Sequence, residues 1–134
     1  MQKNENSLVL DAKQEKKKRA KPFNAKGKSK KHLEDMGWTV ADVEMTIPHT
    51  FIKRDCMGFA DLLCCSPTRG IMLVQATGGE MTSNLHEHIR KVKAEPRHAI
   101  WLATGGRIQI HMWQGKGKER DLRVFELTRE VASE

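Results

Sequence analysis

Gly58-Phe59-Ala60-Asp61-Leu62-Leu63-Cys64-Cys65 and Ile71-Met72-Leu73-Val74-Gln75-Ala76-Thr77, separated by Ser66-Pro67-Thr68-Arg69-Gly70, decide how this chain folds. The middle five residues carry the Pro and Gly of a turn, and both flanks are apolar, so they predict two antiparallel strands. With residues 66–70 as the loop, Cys65 faces Ile71 and Asp61 faces Gln75. Directly opposed residues share a face, with Cβ atoms about 4.5–5.5 Å apart. Thr77, two residues beyond Gln75, lies on that face as well. A buried polar group left unpaired costs about 1–3 kcal/mol, so Asp61 and Gln75 need a partner. Either they bond each other or a nearby loop, or they bind a ligand. Asp61, the Gln75 amide oxygen and the backbone carbonyl of Ala76 would make an oxygen half-shell suited to Mg²⁺.

Working outward, Ser29 to Met36 predicts a short helix stopped by Gly37. Trp38 to Ile47 alternates apolar and polar residues, which predicts a strand with one buried face. Pro48 to Asp55 reads as a polar loop. After the apolar run Ile71 to Val74, expected of a central strand, Gly78-Gly79 is expected to break the strand. A helix is predicted from Thr82 or Ser83, acting as cap, to about Pro96. His98 to Thr104 and Arg107 to Trp113 are expected as two strands joined by a tight Gly105-Gly106 turn. Gly115-Lys116-Gly117-Lys118 is a further turn, and Asp121 to Leu127 a last strand. The predicted class is therefore α/β, in the order α-β-β-β-α-β with a mixed central sheet and a C-terminal β-hairpin extension.

Charge is unevenly distributed along the 134 residues. Residues 1–31 hold eleven Lys or Arg against Glu5, Asp11 and Glu15, a balance of +8. Residues 32–134 hold 13 basic and 14 acidic groups, a balance of −1, so the net +7 resides in the N-terminal quarter. Residues 1–28 read as a basic, flexible arm with a transient helix near residues 8–18, and residues 29–134 as the folded domain. A basic arm on a neutral body points to a polyanion, nucleic acid before membrane. No stretch approaches the roughly 18–20 apolar residues of a bilayer span, and the start lacks a secretory pattern. The three cysteines, Cys56, Cys64 and Cys65, have neither disulfide-framework nor zinc-ligand spacing, so a reducing, cytoplasmic setting is expected.

On the helix beginning at Thr82, Leu85, Ile89 and Val92 form an apolar stripe, while His86, Arg90 and Lys93 cluster on another face. Together with Lys53, Arg54, Lys91 and Arg97 they are the candidate nucleic-acid contacts. His86 and His88, two residues apart, do not share a helix face and so predict no metal pair. The few aromatic residues sit mostly in strands, which favours core packing over base stacking.

The joint order of elements, with Asp61 on the second strand and Gln75-Ala76-Thr77 on the third, resembles the PD-(D/E)XK nuclease superfamily. It is similar in particular to small phage-type members related to Holliday junction resolvases and virus-type replication-repair nucleases. The likeness spans about residues 29–127 and implies a restriction-endonuclease-like αβββαβ core. It further implies an Mg²⁺- or Mn²⁺-dependent hydrolase cutting structured or branched DNA, in the cytoplasm of a host cell. DNA is expected before RNA, a homodimer is expected from the symmetry of a four-way junction, and no membrane is involved. Under the resemblance Asp61, Gln75 and Glu34 are catalytic metal ligands, with the Ala76 carbonyl, and Thr77 takes the position of the family's Lys. Gln75 departs from the family's acid, and Thr77 carries no ammonium. The alternative is a non-catalytic DNA- or RNA-binding module on a degenerate nuclease fold.

Overall fold

A computed structural model describes residues 23–129; the arm's predicted helix near residues 8–18 lies outside them. Helix α1 (Ala25–Asp35) leads into β1 (Thr39–Asp42) and a small hairpin, β2 (Met45–Thr46) with β3 (Lys53–Arg54). Next come β4 (Leu62–Ser66), β5 (Gly70–Gly79), helices α2 (Thr82–Ala94) and α3 (Arg97–Ala103), then β6 (Arg107–Gln114) and β7 (Asp121–Leu127). The molecule is α/β, with a five-stranded mixed sheet in the order β1-β4-β5-β6-β7.

The hairpin register is the one predicted: Leu62 pairs with Val74 and Cys65 with Ile71. Immediately before β4, the Asp61 N–H donates to the Val74 carbonyl at 2.9 Å. Strand β5 is central and buried on both faces. Met72 and Val74 join Leu33, Trp38, Leu62 and Cys64 on the α1 side, while Leu73 joins Phe59, Ala60, Val92, Ile108 and Ile110 on the other. Leu85, Ile89 and Val92 of α2 do pack on that second core. Burial of such side chains is worth roughly 1.5–3 kcal/mol each and is the main force holding the layers together.

Several expectations are corrected. Residues 98–104 are not a strand but most of α3, whose Trp101 and Leu102 pack on the core. The reason is connectivity: β5 and β6 are parallel, and parallel neighbours need a crossover of a dozen or more residues on one face of the sheet. Pro96 stands at the start of α3, and Gly105 (φ 92°) takes the left-handed conformation that ends a helix. Gly105-Gly106 therefore links helix to strand, and the C-terminal extension is one strand, β7, added to β6. Gly78 and Gly79 continue β5 opposite Trp113 and Gln114 instead of breaking it. The α2 N-terminus is completed by neither Thr82 nor Ser83; Asn84 Oδ1 accepts from the Met81 N–H. Helix α1 begins at Ala25, so residues 25–28 belong to the folded part and not to the arm.

The stretch from Trp38 to Ile47 is likewise not one strand. β1 ends at Asp42, and β2 pairs instead with β3, inside the segment expected to be loop. Gly58 and Phe59 precede β4 as part of a turn.

Helix α1 is tied to β6 by a buried polar joint. Gln109 Oε1 can only accept, so His111 Nε2 (2.9 Å) carries the ring proton; His111 Nδ1 then accepts from Ser29 Oγ at 3.0 Å. Ser29 Oγ in turn accepts from Trp113 Nε1 at 2.9 Å. Gln109 Nε2 passes the chain to Glu126, which also receives two bonds from Arg107. Ser29 and His111 are wholly buried, which makes the contact a structural joint with no room for a substrate.

Candidate functional site

Three carboxylates converge where β1 leaves the sheet and β4 enters it. Oxygens of Glu44, Asp55 and Asp61 lie within 4.8 Å of one another. Each is placed by local backbone geometry. The Val43 N–H donates to the Asp61 carbonyl at 2.9 Å, and the Glu44 N–H to Asp42 Oδ1 at 3.1 Å, turning the chain out of β1. Asp55 opens a double turn. Its carbonyl accepts from the Gly58 N–H, and the Cys56 carbonyl accepts from the Phe59 N–H around Met57 (φ 56°) and Gly58 (φ 81°), both left-handed as a tight I′ turn demands. Met57 holds that conformation at a cost in strain, of a kind that concentrates at functional sites. Glu44 and Asp55 are thus the two feet of the β2–β3 hairpin, and Asp61 stands at the entrance of β4.

Asp61 is 7 % exposed. Its Oδ2 accepts from the Ala76 N–H at 2.9 Å. Burial pushes its carboxyl up to about 7, and the neighbouring Asp55 and Glu44 carboxylates act in the same direction against the Ala76 bond. Burial raises Asp55 as well. Carboxylates this close oppose one another's ionisation. Gln75, 4 % exposed and opposite Asp61 in the hairpin register, has an amide oxygen with no hydrogen-bond partner among the described residues. Strand alternation turns the Ala76 N–H and carbonyl to the same edge of β5, the edge occupied by Asp61. The three carboxylates form an all-oxygen group of the type that could hold a hard metal ion, and the hairpin register puts the unpartnered Gln75 on the same face as Asp61.

Cations surround this acid group. Lys26 Nζ of α1 lies 2.9 Å from Glu44 Oε1 and 2.8 Å from Asp42 Oδ2, and Lys53 Nζ lies 3.7 Å from Glu44. Asp42 is the main cause of a raised Lys26 ammonium, and Lys26 of a lowered Asp42 carboxyl. On the other side, Lys53, Arg54, Lys91 and Arg97 line a cleft of about 470 Å³ together with Asp55 and Gly58.

Of the residues singled out from sequence, Asp61, Gln75 and Ala76 come together, and Lys53, Arg54, Lys91 and Arg97 share the adjoining cleft. Glu34 does not join them. It is exposed near the far end of α1, eight residues or about 12 Å along the axis from Lys26; the further acids are Glu44 and Asp55. Lys93 lines a different cavity, beside His98 and Arg129, while His86 and Arg90 are exposed on α2 outside the cleft. Thr77 Oγ1 is engaged by His88 Nε2 at 3.1 Å. Burial lowers the His88 imidazole, and its Nδ1 has no partner among the described residues. Glu44 and Asp55 were hidden in the sequence because acids flanking a polar segment look like ordinary surface. Only the pairing of β2 with β3 brings them face to face.

No helix among the described residues is long and apolar enough to cross a membrane. Comparisons with protein-family models, curated proteins and solved structures returned no match.

Proposed function

We propose that the protein is a divalent-metal-dependent phosphodiesterase acting on nucleic acid, DNA before RNA, with a PD-(D/E)XK-like site. The observation that carries the reading is one junction: Asp55 belongs to the acid group with Glu44 and Asp61 and also lines the cleft of Lys53, Arg54, Lys91 and Arg97. Cation-binding oxygens beside a basic cleft suit the binding and cleavage of a phosphodiester. The element order, with β5 and β6 parallel across α2 and α3, supports the same reading.

Asp61, Glu44 and Asp55, with the Gln75 amide oxygen, would hold Mg²⁺ or Mn²⁺. When bound, the ion would supply Lewis-acid stabilisation of phosphate charge and acidify a water. The chain's own groups do the rest. Lys53, Arg54, Lys91 and Arg97 bind and orient the phosphate backbone, and the Ala76 N–H fixes the Asp61 carboxylate. Lys26 holds Glu44 in place and supplies an ammonium that Thr77 cannot.

The test is cleavage of branched and nicked oligonucleotides in Mg²⁺ and in Mn²⁺ by wild type and by Asp61→Asn. Cleavage should fall at least a hundredfold in the variant; equal cleavage by the two proteins overturns the proposal. The second reading, a non-cutting binding module, is favoured by the neutral Thr77–His88 pair at the position of the family's Lys. It predicts retention of nucleic acid without cleavage in either metal.

A further inference from the structure

The β2–β3 hairpin ends in an apolar tip that nothing among the described residues covers. Phe51 is fully exposed and the adjoining Ile52 is more than half exposed, while Met45 is exposed at the base of the hairpin. Neighbouring large apolar groups exposed at a hairpin tip mark a candidate contact surface.

The tip is built and not slack. Pro48 and His49 (φ 63°) form a type II turn, closed by the Thr50 N–H donating to the Ile47 carbonyl at 3.2 Å. Thr50 Oγ1 donates to that same carbonyl at 2.8 Å and accepts from the Ile52 N–H at 3.2 Å. The Ile47 N–H donates to the Ile52 carbonyl at 2.9 Å. His49 adopts a backbone conformation uncommon for a side-chain-bearing residue, and the result is a rigid platform that presents the Phe51 ring outward.

What lies beneath the tip identifies the occupant. Lys53 and Arg54 follow directly, both exposed, and both line the basic cleft. Glu44 and Asp55, the hairpin's feet, belong to the acid group. An aromatic ring carried above cations matches a nucleic acid offering an unstacked base next to its phosphates.

We propose that the β2–β3 hairpin is a wedge that stacks Phe51 on an unpaired base while Lys53 and Arg54 hold the adjoining phosphates. The inference rests on the nucleic-acid reading above and deepens it by naming the substrate class: duplexes carrying an unpaired or splayed base. Asp55 is four residue steps from Phe51, at most ~13 Å of extended chain. The stacked base therefore lies within about four phosphate steps of the acid group.

The experiment uses the full-length chain with Ca²⁺, to permit binding, and two duplexes that differ by one unpaired 2-aminopurine. Affinity is read by anisotropy and stacking by quenching of the 2-aminopurine emission. Wild type should prefer the bulged duplex by about ten- to a hundredfold, the range of one aromatic–base stack. Phe51→Ala should lose that preference and the quenching yet bind the paired duplex as wild type does; Phe51→Trp should keep both. A Phe51→Ala variant with undiminished preference overturns the wedge while leaving the nucleic-acid reading intact. So does Phe51-dependent binding to phosphatidylserine vesicles without a bulge preference. Failure of wild type to retain either duplex removes the nucleic-acid reading itself.

Discussion

The Asp61 carboxylate accepts a 2.9 Å hydrogen bond from the backbone N–H of Ala76, one residue before β4 begins its register with β5. This bond fixes a buried acid at the edge of the central strand, opposite Gln75 and within reach of Glu44 and Asp55. The resulting site is electrostatically incomplete, and most of the expected behaviour follows from that.

Asp61 titrates near 7 in the folded state, against about 4 for a free Asp. Between those values the folded protein holds a proton that the unfolded chain releases. The metal-free protein is therefore stabilised by this group below about pH 4 and loses that contribution as pH rises through 7. A divalent cation replaces the proton. Addition of 5–10 mM Mg²⁺ or Mn²⁺ should raise Tm by several degrees at pH 8 and by little at pH 5, measured by thermal unfolding.

His111 works in the opposite sense. Burial pushes its imidazole down to about 4, with His32 adding to the effect, so the unfolded chain binds the proton more readily between pH 4 and 6.5. Its contribution is complete above 6.5 and is lost as pH falls toward 4, up to roughly 3 kcal/mol. In wild type the two groups offset each other. His111→Gln should unmask a protein whose relative stability improves on acidification, whereas Asp61→Asn should show a steady loss. Urea midpoints from pH 4 to 8 check both.

Asp61→Asn keeps the shape and an acceptor for the Ala76 N–H but removes one charge from the acid group. At pH 8 without metal it should be as stable as wild type or more so, by about 1 kcal/mol, and cation stabilisation should vanish. A variant that still gains Tm from Mn²⁺ would place the ion elsewhere.

Gln75→Glu places an acid opposite Asp61. The added carboxylate should tighten Mn²⁺ binding about tenfold by calorimetry. It should also destabilise the metal-free protein at pH 8 by about 1–2 kcal/mol, because a fourth carboxylate is buried beside like charges.

Lys91→Ala and Arg97→Ala remove two cations from the cleft wall. Each should weaken nucleic-acid binding and lower the slope of log affinity against log salt by about one, while the cation-dependent rise in Tm stays. His86→Ala and Arg90→Ala, outside the cleft, should leave the slope within error of wild type.

Much of the fold was legible from local pattern. The Pro- and Gly-bearing turn at residues 66–70 sets the β4–β5 register by itself, and register alone brings Asp61 opposite Gln75. The α2 stripe of Leu85, Ile89 and Val92 and the alternation of Ile108, Ile110 and Met112 with polar residues along β6 are equally local signals. What failed were elements whose conformation depends on distant chain. Residues 98–104, expected as a strand, are a short run with an apolar centre, and a run of that length suits a strand as well as a helix. They become helical because β6 lies parallel to β5, so the connection must cross over one face of the sheet.

The site divides along the same line. Sequence by itself determined the Asp61–Gln75 pairing, the apolar strands that bury it and the excess of basic residues in the first quarter of the chain. Tertiary structure decided which other groups meet that pair. It selected Glu44 and Asp55 over Glu34, and Lys91 and Arg97 over His86 and Arg90. The physical reason is that a strand's period places neighbours within one hairpin. The meeting of a turn, a second hairpin and a helix depends on how the layers pack to bury the shared core.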